Sequence, residues 1–292
     1  MSAHRTLLFA AILLAFTLAH SAESFPNTTP QTIVLAGMSR TFFIHTPAHP
    51  KSTGKIPLVI MLHGGSGTAA QLYEKRTGWD ATADREGFLV AYPNSAAGAA
   101  KTGWSAHMNA ATDDIDFLRE LIQHLIATRN VDPQRVYLTG FSSGALLVHR
   151  AGIALGDRLA ALGVVSGSMC WNIREGPAQP PPAALAPLPV IVVHGTADKN
   201  VPYDGFDNGN AVCWPVAKAV DYWVRADGIT SPPRTQTNGK LTTATYTDGK
   251  NNAEVVFHTI AEGGHGWPVA PILATNDVLW DFFKKHPRTV AR

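Results

Sequence analysis

Short, apolar runs alternate along this chain with longer segments in which apolar residues recur every three or four positions. The runs Leu58–Leu62, Phe88–Tyr92, Ala161–Val165 and Val190–Val193 contain no charged residue. Strands of a parallel sheet that is covered by helices on both faces have this composition. The run Arg135–Thr139 predicts one further strand. The alternation of such strands with helices predicts an α/β fold.

The clearest helical pattern covers residues 113–129. Its apolar positions follow helical spacing: Ile115, Leu118, Leu121, Ile122, Leu125 and Ile126. Thr112 can cap the first turn, and the aspartates that follow it are favourable against the helix dipole. The other predicted helices are Ala69–Arg76, Trp79–Glu86, Ala145–Arg150, Cys213–Ala226 and Thr275–Lys285.

Segments with more polar positions predict antiparallel strands. Thr32–Leu35 and Arg40–His45 form one predicted pair around a turn at Gly37, and Thr242–Tyr246 with Glu254–Ile260 form a later pair. Together, the elements predict a doubly wound, mostly parallel sheet with an antiparallel N-terminal edge.

Length and charge limit the possible organisation and partners. The chain has 292 residues, 16% of them charged, and a formal net charge of +2. This length can bury the core of one large domain, and the charge gives no reason to expect nucleic acid or an anionic membrane as partner. The segment Pro177–Pro189 is rich in proline and alanine. It is too short to link two domains, and we expect it on the surface beside the site.

The N-terminus has the pattern of a targeting segment. His4-Arg5 precedes the apolar stretch Leu7–Leu18, and small residues follow up to Ala22. This predicts a secretory signal peptide over residues 1–22, with an uncleaved anchor as the alternative. The apolar stretch is short for a membrane span, which needs ~20 residues. Residues 23–292 would then be a single domain that works outside the cytoplasm, secreted or periplasmic.

The chain has two cysteines, Cys170 and Cys213. In an oxidising compartment they favour one disulfide, and two buried free thiols are the alternative. No C-x-x-C spacing is present, so the cysteines indicate no metal site. We expect neither a metal nor a cofactor.

One motif points to chemistry. Gly140-Phe141-Ser142-Ser143-Gly144 stands between a predicted strand and a predicted helix. In this context G-x-S-x-G indicates a nucleophile elbow, a sharp turn that exposes a serine, and the glycines let neighbouring elements approach. The glycine spacing selects Ser142 rather than Ser143. An ordinary strand–helix connection is the alternative.

A serine nucleophile needs a base and an orienting carboxylate, which follow it in the order acid, then histidine, in hydrolases with this elbow. Asp198 comes directly after a predicted strand, whereas Asp204 and Asp207 lie farther into the loop. His265 lies in a glycine-rich loop after the last predicted strand, whereas His258 lies inside that strand. We therefore predict Asp198 and His265 as the partners of Ser142.

An oxyanion hole requires backbone N–H groups beside the nucleophile. One is expected from Ser143. The other is expected from the loop after Leu62, which reads His63-Gly64-Gly65-Ser66-Gly67. Gly65 is the preferred donor, with Gly64 or Ser66 possible. The loop is a poor phosphate-binding loop because no G-K-[ST] follows.

Four segments carry a resemblance to a known family: His63-Gly64-Gly65, Asp132 to Gly144, His194-Gly195-Thr196-Ala197-Asp198, and Gly263 to Pro268. They resemble the secreted polyhydroxybutyrate depolymerase and feruloyl or acetyl xylan esterase family. The resemblance implies an α/β-hydrolase fold, no metal, and ester hydrolysis by Ser142, His265 and Asp198. Relatives commonly have Asn-Gly after the serine, where this chain has Ser143-Gly144.

Aromatic residues in the loops are candidates for substrate binding. Trp104, Trp171, Trp214 and Trp267 lie in or near loops expected around the site, and Trp104 and Trp267 are the preferred pair. Packing beneath the loops is the alternative for each.

The sequence thus predicts a secreted serine carboxylic ester hydrolase of the feruloyl or acetyl xylan esterase type, with a small or polymeric ester as substrate. A polyester depolymerase is the alternative within the class, and it is weakened because no polymer-binding domain follows before Arg292. A peptidase of the same fold is not excluded. A non-catalytic binding module of this fold is the alternative from another class. The oligomeric state is not indicated.

Overall fold

A computed structural model describes residues 27–48, 54–65, 77–95, 103–111 and 113–289, and a ten-stranded sheet lies at their centre. The strands are β1 Thr28–Leu35, β2 Met38–His45, β3 Ile56–Leu62, β4 Leu89–Pro93, β5 Val131–Phe141, β6 Ala161–Val165, β7 Cys170–Asn172, β8 Val190–Gly195, β9 Phe206–Asp207, β10 Ala211–Cys213, β11 Arg234–Asn238, β12 Leu241–Tyr246 and β13 Val255–Ile260. The order in the large sheet is β1-β2-β4-β3-β5-β6-β8-β13-β12-β11. From β4 to β13 the strands are parallel, and antiparallel strands complete both edges.

Helices cover both faces of the sheet. Within the described ranges they are α1 Trp79–Glu86, α2 Asp113–Thr128, α3 Ser143–Leu155, α4 Val216–Ala226 and α5 Thr275–Phe283. On β3, Leu58 and Ile60 pack in the core with α2, α3 and α4, while Val59 and Met61 pack in the core with α1 and α5. Alternate side chains of a strand face opposite sides, so a strand covered on both faces is apolar throughout. The predicted doubly wound sheet with its antiparallel N-terminal edge is confirmed.

The chain after β8 departs from the sequence prediction at the start of α4 and at strand β11, among other places. The helix predicted from Cys213 begins only at Val216, and Cys213 itself ends β10. Pro215 directly precedes the helix with a φ of −49°. A proline disfavours the helical conformation at the residue before it, so the helix cannot extend back to Trp214. Strand β11 was not predicted, because all five of its residues are exposed and no apolar pattern indicates it.

The segment Pro177–Pro189 lies on the surface as predicted, but it packs away from Ser142 and not beside the site. Its Leu185 amide donates to the Ile153 carbonyl over 3.3 Å, and the Pro182 carbonyl accepts from the Tyr222 hydroxyl over 2.6 Å. These contacts lie against α4 and the C-terminal end of α3, and Ser142 lies at the other end of α3.

Some sequence predictions fall outside the described residues, among them the signal peptide over residues 1–22, the helix Ala69–Arg76 and the cap at Thr112. In the part of the chain that the structure describes, no helix is both long and apolar enough to cross a lipid bilayer.

A small sheet of β7, β10 and β9 follows the carboxyl ends of β6 and β8. Cys170 and Cys213 lie opposite each other on β7 and β10 and form the predicted disulfide. The Met108 amide donates to the Cys170 carbonyl over 2.7 Å, which joins residues 103–111 to this sheet. These pieces lie at the sheet edge where doubly wound folds bind their ligands.

Candidate active site

Ser142 occupies a strained turn between β5 and α3. Its φ is +55°. Residues other than glycine rarely adopt this backbone conformation, and the strain costs of order 1–3 kcal/mol. Its amide donates to the Val165 carbonyl of β6 over 3.1 Å, and its carbonyl accepts from the Leu146 amide over 3.0 Å at the start of α3. The turn therefore has the predicted elbow geometry and presents the serine at the carboxyl edge of the sheet.

Close backbone contacts require the glycines on either side of the turn. A Cβ on Gly140 would lie 2.6 Å from the carbonyl carbon of Gly144. A Cβ on Gly144 would lie 2.5 Å from the carbonyl oxygens of Leu62 and His63. Because these neighbours are backbone atoms of the central strands and of the helix, they cannot move aside as a flexible side chain would.

Gly144→Ala is expected to lower the free energy of unfolding by about 3 kcal/mol, because the new methyl overlaps the end of β3. Urea denaturation measures the change. Gly264→Ala is the matched control, since a Cβ there has no neighbouring atom within 4 Å. We expect its effect to stay within about 0.5 kcal/mol. Equal losses in the two variants would contradict the role given to Gly144.

Asp198, His265 and Ser142 form a continuous hydrogen-bonded chain. His265 Nδ1 lies 2.7 Å from Asp198 Oδ2, and His265 Nε2 lies 2.9 Å from Ser142 Oγ. An ionised carboxylate can only accept, so Nδ1 carries the ring hydrogen and Nε2 is left to accept from the serine hydroxyl. The structure thus brings together the three residues that the sequence singled out, with the imidazole in the tautomer that can take the serine proton.

The carboxylate of Asp198 is held from the side opposite His265. Its side chain is fully buried, and its Oδ1 accepts from the amides of Asn200 and Val201, each over 2.9 Å. These two bonds fix which carboxylate oxygen faces the imidazole. The geometry therefore restricts the rotamer of Asp198 as well as its position.

The alternative candidates for the acid and the base, Asp207 and His258, make other contacts. Asp207 Oδ1 accepts from the Gly209 amide over 3.0 Å within a turn. His258, inside β13, lies 2.8 Å from Thr243 Oγ1, and burial lowers its pKa to about 4. Neither contacts Ser142 within the described residues.

Two side chains that the sequence did not single out hold the His265 loop. Ser166 Oγ donates to the Gly266 carbonyl over 2.9 Å, and Thr196 Oγ1 accepts from the Glu262 amide over 2.8 Å. Ser166 itself has a φ of +52°. No sequence signal distinguishes these residues from other polar loop residues, because their roles depend on contacts across 66 and 100 positions.

The predicted oxyanion loop lies directly beside the elbow. A Cβ on Gly64 would lie 3.4 Å from Ser142 Cβ, and one on Gly65 would lie 3.6 Å from Ser143 Oγ. Backbone without side chains can therefore approach a carbonyl group bound at Ser142. Ser66, the third residue considered as a donor, lies outside the described residues.

His63 and Trp104 hold this loop from behind. His63 Nδ1 donates to the Gly64 carbonyl over 2.7 Å, and its Nε2 accepts from the Ser95 amide over 3.2 Å. Burial lowers the pKa of His63, which keeps the ring neutral in this arrangement. Trp104 Nε1 donates to the His63 carbonyl over 2.8 Å, and the two rings lie 4.6 Å apart. Trp104 is 7% exposed. Its contacts hold this loop from the protein interior, and its part in substrate binding stays a prediction.

Trp104→Phe is expected to lower kcat about tenfold, because the carbonyl of His63 loses its donor at a cost of ~1–3 kcal/mol and the loop loosens. Steady-state kinetics on a p-nitrophenyl ester measure the effect. Trp280→Phe is the matched control: this tryptophan is also buried, and its Nε1 has no hydrogen-bond partner among the described residues. Equal activity in both variants would contradict the role given to Trp104.

The remaining aromatic candidates lie in different surroundings. Trp267 is half-buried, donates from Nε1 to Asn276 Oδ1 over 3.0 Å, and borders a cleft of about 240 Å³. Trp171 and Trp214 pack against each other at 5.0 Å in the small sheet. Trp267 is therefore the candidate that lies against open volume.

No group of three or more His, Cys, Asp or Glu side chains within the described ranges is arranged to hold a metal ion. The side chains of Asp198, His265 and Ser142 are bonded to one another, and this arrangement suits proton transfer and nucleophilic attack.

Comparison with known proteins shows the family to which the chain belongs. The family model described as Esterase PHB depolymerase matches residues 42–175. The putative esterase NocK of Nocardia uniformis subsp. tsuyamanensis is 30% identical over 268 residues, which cover 83% of this chain and 74% of that protein. Feruloyl esterase B of Piromyces equi is 28% identical over 235 residues, covering 78% of this chain but 42% of that longer protein.

A solved structure has the same fold. The acetyl xylan esterase from Aspergillus awamori superposes with a TM-score of 0.67 and 16% identity, over 88% of this chain and 99% of that one. This likeness supports the α/β-hydrolase fold. From the two sequence relatives and the family model, the chain belongs to the esterase PHB depolymerase family, a family of carboxylic ester hydrolases.

Proposed function

We propose that the protein is a serine carboxylic ester hydrolase in which Ser142 is the nucleophile, His265 the general base and Asp198 the orienting acid. The observation that carries the proposal is the hydrogen-bonded chain of 2.7 Å from Asp198 to His265 and 2.9 Å from His265 to Ser142. A general base must lie within such reach of the proton that it removes. The strained elbow supports the same assignment, because strain of this kind is concentrated at functional sites.

The reaction follows from the position of each proton. His265 Nε2 takes the hydroxyl proton as Ser142 Oγ attacks the ester carbonyl, and the N–H groups of Ser143 and Gly65 stabilise the resulting oxyanion. The imidazolium, held by Asp198, then protonates the leaving alcohol as the carbon–oxygen bond breaks. Water attacks the acyl-enzyme by the same sequence of steps, which releases the acid and restores Ser142.

The proposed substrates are feruloyl or acetyl esters of plant cell-wall polysaccharides. Support comes from the likeness to a feruloyl esterase and to an acetyl xylan esterase. A second candidate, an apolar polyester, is favoured by the family match and by one feature of the surface. Val269 and Ile272 are 65% and 50% exposed, and both follow His265 within seven residues. Trp267 is the candidate for contact with either substrate.

We further propose that residues 23–292 act as a single catalytic domain outside the cytoplasm, after removal of the segment 1–22. The disulfide between Cys170 and Cys213 supports an oxidising compartment. Sequencing the N-terminus of the exported protein tests the cleavage.

One assay series tests the function and its substrate. Purified protein is assayed on p-nitrophenyl acetate, methyl ferulate, acetylated xylan and polyhydroxybutyrate, each beside Ser142→Ala as background. We expect activity above background on p-nitrophenyl acetate and on methyl ferulate or acetylated xylan. Polyhydroxybutyrate hydrolysis with no activity on the plant esters would favour the second candidate. Rates equal to background on all four would contradict the proposed function.

A further inference from the structure

A second histidine lies against Asp198. His194 lies near the carboxyl end of β8, and its side chain is fully excluded from solvent. Its Nε2 lies 2.8 Å from the Val201 carbonyl oxygen and 3.4 Å from Asp198 Oδ2. The mechanism above gives this residue no role.

The tautomer of His194 follows from its partner. A carbonyl oxygen can only accept, so the hydrogen of the neutral ring stands on Nε2 and is directed at Val201. Burial lowers the pKa of His194, and the backbone of Val201 and Gly167 and the charge of Asp198 oppose this effect. Gly167 does not compete for the ring hydrogen, because Nδ1 makes no hydrogen bond within the described residues.

The bond to Val201 closes a short loop around the carboxylate. Val201 donates its amide to Asp198 Oδ1 over 2.9 Å and accepts from His194 through its carbonyl. Val201 therefore connects Asp198 to strand β8, with its amide bonded to the aspartate and its carbonyl bonded to His194. If the carbonyl were released, the turn that carries both donors to Oδ1 would be free to shift.

We propose that His194 is a positioning residue, which through Val201 holds Asp198 in the rotamer that orients His265. The inference rests on the proposed triad. It predicts that kcat depends on a hydrogen-bond donor at the position of His194 Nε2. This dependence should require the carboxylate of Asp198.

The first test compares two amides. Glutamine can place its amide N–H where Nε2 stands, whereas asparagine is too short to reach the Val201 carbonyl. We expect His194→Gln to keep kcat within about threefold, and His194→Asn to lower kcat at least about tenfold with KM within about twofold, since a misplacement of 1 Å can cost ~100-fold. His258→Asn is the matched control, because His258 is a buried, neutral histidine on the neighbouring strand. It should leave kcat unchanged.

The second test asks whether the effect passes through Asp198. In an Asp198→Ala background, His194→Asn should change the residual kcat by less than about twofold, because effects that share one path are not additive. The same fold-loss in both backgrounds would overturn the proposal, as would equal losses for His194→Gln and His194→Asn. Failure of the proposed function is a different result, namely a wild-type rate equal to that of Ser142→Ala.

The third test measures the wild-type protein, with one variant used only to assign the signal. Nitrogen-15 spectra of histidine-labelled protein report which ring nitrogen carries the hydrogen, and His194→Gln assigns the signal. We expect the Nε2–H tautomer for His194. A ring protonated at Nδ1 alone would overturn the proposal, because it could not donate to Val201.

Discussion

Ser142→Ala is expected to lower kcat on p-nitrophenyl esters on the order of 10⁵-fold, because the substitution removes the oxygen that we propose forms the acyl-enzyme. The remaining oxyanion donors and the binding surface would leave a residual rate above that of water. The fold should persist, since the turn is set by backbone bonds to Val165 and Leu146 and not by the serine hydroxyl.

The neighbouring hydroxyl provides the control for this experiment. Ser143 Oγ is buried and has no hydrogen-bond partner in the described part of the chain. Ser143→Ala keeps the backbone N–H that we assign to the oxyanion hole, so we expect less than a tenfold loss of kcat. A reactive organophosphate should add one phosphoryl group to wild-type protein and to Ser143→Ala, and none to Ser142→Ala, by intact mass. The opposite labelling would make Ser143 the nucleophile.

The parts of the site that could be predicted from the sequence depend on local order along the chain. Ser142, Asp198 and His265 each follow a strand whose apolar composition marks it, and each has a residue type that the chemistry needs. The carboxyl ends of parallel strands meet at one edge of a sheet, so residues that follow such strands come together. The backbone geometry around Gly140 and Gly144 could also be predicted, because the two glycines flank a turn with a recognisable sequence motif.

The parts that could not be predicted depend on contacts between distant residues. The role of Trp104 depends on the His63 carbonyl, 41 positions away. Ser166 depends on Gly266, and the short strands β7 and β10 are joined across the chain by a disulfide. Such residues have no periodicity of their own. Strand β11 was missed because both of its faces are exposed, so burial leaves no pattern in its sequence.

Asp198→Asn is expected to lower kcat about 10⁴-fold while preserving the fold. The reason lies in the two backbone amides of Asn200 and Val201, which donate to Oδ1. An asparagine must keep its carbonyl oxygen on these donors, so its NH₂ group faces His265. The imidazole can then only accept at Nδ1, and its hydrogen moves to Nε2. A ring that is protonated at Nε2 cannot take the proton of Ser142, although every heavy atom stays in place.

Three measurements check this chain of causes. Thermal unfolding should show a small change, kcat should show the large one, and nitrogen-15 spectra should move the His265 hydrogen from Nδ1 to Nε2. Asp198→Ala distinguishes loss of the His265 orientation from a change of its tautomer. This variant removes the carboxylate but places no hydrogen-bond donor against Nδ1 of the ring. Its spectrum should contain both tautomers. A tenfold loss of kcat corresponds to about 1.4 kcal/mol of barrier, whereas a 10⁴-fold loss corresponds to ~5 kcal/mol. If Asp198→Asn kept more than about a tenth of the wild-type kcat, the His265 tautomer set by Asp198 would not be what makes Ser142 reactive.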